Sequence, residues 1–127
     1  MQILALDPGR LLGWSHTIAT GGTVTLFPVG APMGERFAKF SDWLSMTLEE
    51  LPTDEIVYEA QHQRGGPATR QQLGIVAEIE RLAYCHEIET VRAVHTGTLK
   101  KHATGSGKAE KSEMLAAAAK RYPSFEI

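Results

Sequence analysis

Two carboxylates stand where apolar strands run out. The segment Ile3-Leu4-Ala5-Leu6 ends in Asp7, and Ile56-Val57-Tyr58 ends in Glu59. A charge buried at the end of an apolar strand is costly unless something compensates it. If the two strands are neighbours, the carboxylates meet, and two carboxylates repel unless a proton or a cation lies between them. Oxygen ligands without histidine or cysteine companions suit magnesium or manganese. The reading is therefore a buried pair, Asp7 and Glu59, that holds a divalent cation. Its competitor is an Asp7 that merely caps the following turn and a Glu59 that is exposed. Gly9 and Gly13 bracket that turn, and glycine there lets another chain or a ligand come close to the backbone.

A second chemical signal is the placement of positive charge. The whole chain of 127 residues is nearly balanced, with 13 Lys+Arg against 15 Asp+Glu, so its net charge does not announce a nucleic-acid partner. Two windows nonetheless hold no acid: residues 60–77, with Arg64 and Arg70, and residues 90–109, with Arg92, Lys100, Lys101 and Lys108. A phosphate backbone feels the local field rather than the sum. Such windows make either a phosphate-binding surface or an ordinary solvated face.

The elements that must position these residues follow from periodicity. Residues 3–6 are uniformly apolar, as in a central strand covered on both faces. Residues 14–19 and 23–29 are β-rich and flank Thr20-Gly21-Gly22, which reads as a hairpin turn. Residues 34–51 carry Phe37, Phe40, Leu44, Leu48 and Leu51 at helical spacing, with Pro52 beyond the stop. Residues 54–59 alternate as a fourth strand, and a polar loop, 61–66, opens a helix with Pro67 in its first turn. In that helix, which runs to about His86, eight of the twelve residues from 73 to 84 are apolar. This is more than one stripe needs, so the helix is either enclosed by its own domain or shared with a partner chain. Residues 90–94 read as a fifth strand. A short helix near 98–102, a turn at Gly105-Ser106-Gly107 and a helix over 108–121 follow. The order β-β-β-α-β-α-β-α describes one α/β domain with a mixed five-stranded sheet, its first three strands an antiparallel meander.

Composition excludes other classes. The lone Cys85 cannot form an intramolecular disulfide or a cysteine-rich zinc site, and its apolar helical setting reads as core. No apolar run approaches the length of a membrane span and no signal peptide opens the chain, so the expectation is a cytoplasmic protein with no membrane partner.

Three motifs in order carry a resemblance. The opening Ile-Leu-Ala-Leu-Asp7-Pro8-Gly9, followed by Gly13-Trp14-Ser15, is similar to that of RuvC-type Holliday junction resolvases, members of the RNase H-like superfamily. Tyr58-Glu59 resembles their second acidic motif. Thr98-Leu99-Lys100-Lys101 through Gly105, Gly107, Lys108, Ala109 and Lys111 resembles their late segment. The resemblance implies an RNase H-like fold, a homodimer and metal-dependent hydrolysis of DNA phosphodiesters at four-way junctions. Asp7 would be shared by two magnesium (or manganese) ions, with Glu59 ligating one of them. Lys100, Lys101 and Lys111 lie where the family holds the phosphates of the cleaved strand. The position three after Glu59, where the family often places an aromatic wedge, is His62, whose imidazole stacks more weakly.

The family completes its metal site with aspartates on a final helix, after the segment matching residues 122–127. The sequence stops at Ile127, so the expectation is a domain truncated before that helix, with its own activity in question. Glu110 and Glu113, three apart on one helical face, read as surface acids rather than substitutes. Competing functions are a branched-DNA-binding module of the same fold and an RNase H-like nuclease with another substrate, such as a hybrid. Asp-x-Gly also opens the phosphate turns of actin-like ATPases and sugar kinases, but no second such turn is present.

Overall fold

The computed structural model of the chain describes residues 1–60 and 65–95. The elements expected after residue 97 lie outside them. Five strands form one sheet: β1 (Ile3–Asp7), β2 (Leu11–His16), β3 (Ala19–Thr25), β4 (Glu55–Ala60) and β5 (Thr90–His95), in the order β3-β2-β1-β4-β5. The first three strands pair antiparallel, whereas β1 pairs parallel with β4 and β4 with β5. The mixed sheet and the adjacency of the first and fourth strands are as the sequence implied.

Helices α1 (Met33–Glu50) and α2 (Gly66–Cys85) pack against one another and against one face of the sheet. Leu4 and Leu6 of β1, Leu12 of β2 and Ile56 and Tyr58 of β4 meet Phe40 and Leu44 of α1 and Ile75 and Ile79 of α2 in one buried cluster. Strand side chains alternate. Ile3, Ala5 and Asp7 of β1, with Glu55, Val57 and Glu59 of β4, therefore belong to the opposite face. Gly74 lets the two helices approach closely, because a Cβ there would run into the ring of Phe37.

The first hairpin differs from the expectation. Its turn is at Thr17 and Ile18, and Gly21 and Gly22 lie inside β3. Thr17 closes the turn onto β1: its N–H donates to the Ile3 carbonyl at 3.1 Å, and Ile3 N–H donates to Thr17 Oγ1 at 2.8 Å. Gly21 answers a packing demand instead. A Cβ on it would strike the Trp14 carbonyl and come within 2.9 Å of Ser15 Cα, at the register shift between Trp14 and His16. The glycines mark a close strand approach, which looks like a turn signal in sequence.

Cys85 is also not core; it is exposed. The buried stripe of α2 runs through Gln72, Ile75, Ile79, Leu82 and Ala83, and Cys85 ends the helix about a third of the way round from it. Leu73, Ala77 and Tyr84 lie on the side opposite the stripe and are exposed, Leu73 to 53% and Tyr84 to 84%. The excess apolar residues of α2 thus form a second face that the described residues do not enclose. No described helix is long and apolar enough to cross a membrane.

Candidate active site

Strand register sets Asp7 and Glu59 at neighbouring positions. In the parallel β1–β4 pair, Ile3 aligns with Glu55 and Leu6 with Tyr58, and Asp7 and Glu59 are each the next residue along. Neighbouring strands run about 4.8 Å apart, so the two acids stand side by side at the carboxyl ends of adjacent central strands. Ligands in open α/β sheets collect outside such strand ends. On the other side of β1, Asp7 is paired with Gly13 of β2. A Cβ at Gly13 would sit in ordinary contact, 3.5 Å from Asp7 Cβ and 3.9 Å from Oδ2, so this glycine lies directly beside the carboxylate.

The burial expected of the pair needs correcting. Asp7 is exposed and Glu59 half-buried. The apolar run of β1 reflects Leu4 and Leu6, which the helices cover, whereas Asp7 alternates onto the face away from them. The alternative of an exposed Glu59 is wrong as well, but the burial that made a partner obligatory for Asp7 is absent.

The deeply buried acid is one that the sequence reading passed over. Glu55, at the start of β4, is only 5% exposed and accepts a hydrogen bond from Arg92 Nε in an ion pair. Arg92 sits on β5 beside Val57 in register, two residues up from Glu55 on the same face. A glutamate opening one strand and an arginine within the next is a signal that register would have turned into a pair. Arg92 is thereby held by a carboxylate, and the acid-free window that contained it counts one cation fewer for phosphate.

Of the other residues singled out, Arg70 is exposed in the first turns of α2. That helix begins at Gly66, seven residues after Glu59, with no acid in its first turn, and its N-terminal end carries partial positive charge. His62, Arg64, Lys100, Lys101, Lys108 and Lys111 lie outside the described residues, as do Glu110 and Glu113. On the helix-covered face of β4, burial raises the Tyr58 phenol above its ordinary value, and the negative charge of Glu80 adds to this.

Among the described residues no group of three or more His, Cys, Asp or Glu gathers as a metal site. Two carboxylates still fit magnesium, which is commonly held by one or two carboxylates together with waters and substrate phosphates. The donor set contains no sulfur or imidazole that would favour a softer metal.

Sheet order, strand directions and the two helices on one face define an RNase H-like fold. The solved structures agree. The chain is similar to RuvC of Thermus thermophilus in complex with a Holliday junction substrate, with a TM-score of 0.76 and 18% identity over 94% of this chain and 78% of that one. A second Thermus thermophilus RuvC structure matches with a TM-score of 0.75 at 18% identity, covering 94% of this chain and 79% of the other. The yeast mitochondrial Holliday junction resolvase Ydc2 matches with a TM-score of 0.66 at 14% identity, covering 97% of this chain and 62% of that one. No protein-family model matches the sequence, and no curated protein does.

Proposed function

We propose that the chain is a structure-selective, metal-dependent DNA endonuclease that resolves four-way junctions by phosphodiester hydrolysis. The observation that carries this reading is the pair Asp7 and Glu59, adjacent at the carboxyl ends of two parallel central strands. The fold's likeness to junction resolvases, one of them seen with its junction, supports the choice of substrate.

Asp7 and Glu59 are the residues that would hold magnesium or manganese, as one ion or two. Bound there, the metal would supply an activated water and charge stabilisation for the leaving oxygen of an in-line displacement. The chain's own part is to fix the two carboxylates on strands that cannot shift independently, with Gly13 directly beside Asp7. Arg64, Arg70, Lys100, Lys101, Lys108 and Lys111 bind phosphates of the junction arms, and His62 stacks near the branch. The exposed face of α2 bearing Leu73, Ala77 and Tyr84 pairs two copies, which suits a substrate with two strands to cut.

Substrate class is tested by competition. A labelled four-way junction, held by the chain in calcium or without metal, should be displaced at least tenfold less readily by duplex or RNA–DNA hybrid than by unlabelled junction. Equal competition by duplex would contradict the reading. Selective binding without cleavage would leave a branched-DNA-binding module of the same fold.

A further inference from the structure

Beyond the strand ends, a pocket of about 220 Å³ opens between the β1–β2 turn, the loop from β3 to α1 and the second turn of α2. Arg10, Phe27, Gly30, Arg36 and Gln71 line it. Arg36 is built in: its Nε donates to the Ala31 carbonyl at 2.7 Å and its Nη1 to Gln71 Oε1 at 2.9 Å. Its guanidinium carbon lies 5.6 Å from the centroid of the Phe27 ring. These contacts hold the cation in place and neutralise none of its charge. Among the described residues the ion pairs join Arg81 to Glu78 and Arg92 to Glu55, so neither Arg10 nor Arg36 has a carboxylate partner.

The chemistry of the lining is one-sided. Gln71 accepts from Arg36 through its oxygen, which assigns its other terminus as the NH2 donor. Two guanidinium groups and an amide donor thus share a pocket whose lining has no acid. Fixed arginines with planar donors suit phosphate oxygens. Position adds to composition. Arg10 follows Asp7 by three residues, and its carbonyl accepts from Leu26 N–H at 2.9 Å, which ties the β1–β2 turn to the loop that forms the pocket. The pocket therefore flanks the end of the sheet where Asp7 and Glu59 stand.

We infer that this pocket is a phosphate subsite. It binds one backbone phosphate of a DNA strand that runs on to Asp7 and Glu59, and so helps to set which bond is presented to them. The inference rests on the nuclease reading for its ligand, though not for its chemistry.

The test uses Arg10, whose side chain makes no hydrogen bond or ion pair among the described residues and whose backbone contact survives substitution, rather than Arg36, whose side chain bridges Ala31 and Gln71. Wild type, Arg10→Ala and Arg10→Lys are compared for binding to labelled junction over a salt series. Losing one duplex phosphate contact should flatten the slope of log affinity against log salt by about 0.9, with Arg10→Lys close to wild type. An unchanged slope in Arg10→Ala would overturn the subsite. If the wild type binds no DNA, the nuclease reading fails, and inorganic phosphate then decides the pocket. Tens of millimolar phosphate should shift the Gln71 side-chain amide resonances in wild type and leave them unmoved in Arg10→Ala. No shift in wild type would overturn the pocket itself.

Discussion

His16 shows how a single buried side chain ties the scaffold of the site together. Its Nδ1 accepts from Ile18 N–H at 3.2 Å, so its Nε2 carries the proton and donates to the Pro52 carbonyl at 3.0 Å. The ring thus joins β2 to the loop that leads into β4. Burial lowers its pKa below the ordinary value, more than the Pro52 carbonyl raises it. Protonation would also set a second N–H against that of Ile18. Because the folded pKa is depressed, the unfolded chain binds more protons in the window between the folded value and about 6.5. Stability from His16 is complete above that window and is lost as pH falls through it, at about 1.4 kcal/mol for each unit of depression. Urea melts from pH 7.5 to 5 should show this loss in wild type and a flatter profile in His16→Gln. Parallel profiles would contradict it. Glu55 and Arg92 give a second expectation. Arg92→Ala leaves a buried carboxylate without its cation. This should cost about 1–3 kcal/mol, less than in a fully buried pair because Arg92 is 61% exposed. Glu55→Gln on top of it should restore most of the loss, and neither change should alter the salt dependence of DNA binding. At this scale the sequence made Asp7 and Glu59 legible, since a carboxylate ending an apolar strand stands out. It did not show their exposure or the Glu55–Arg92 pair, because both depend on which face of the sheet the helices cover.

Between the elements, the strongest unspent feature is the outer face of α2. Composition left open whether its apolar excess was buried within the domain or shared with a partner. The structure answers the first half, because Leu73, Ala77 and Tyr84 lie opposite the buried stripe. A dimer through this face should sediment as two chains at micromolar concentration. Leu73→Glu with Tyr84→Glu should give a folded monomer, since neither side chain supports the core. A wild-type monomer at 100 micromolar would refute the pairing. Helix spans were readable to within a residue or so, because α1 and α2 show clean 3.6-residue periodicity and end near Pro52 and His86. The β2–β3 hairpin was not, because glycine serves turns and close strand approaches alike. Only the Trp14–Gly22 register separates the two uses.

For the molecule as a whole, the order β3-β2-β1-β4-β5 has one functional consequence: it sets β1 beside β4. That adjacency sets two residues 52 positions apart at neighbouring strand ends. It was legible because each strand carried its own acid at the same end, and the first and fourth strands of this order were plausible neighbours. The basic residues singled out were less so: all but Arg70 and Arg92 lie outside the described residues, and periodicity does not describe how surface charges cluster. On the proposed function, Asp7 and Glu59 together make the chain a junction-cutting nuclease. The direct measurement is cleavage of an end-labelled four-way junction in magnesium by the wild type, Asp7→Asn and Glu59→Gln, at protein concentrations that saturate the junction. The account predicts paired nicks at the branch with the wild type, and at least a hundredfold slower cutting by either variant with junction affinity kept within about threefold, each variant losing groups that act on the reacting phosphate. Magnesium-dependent cutting by both variants at the wild-type rate, or no cutting by a wild type that binds the junction fully, would contradict it.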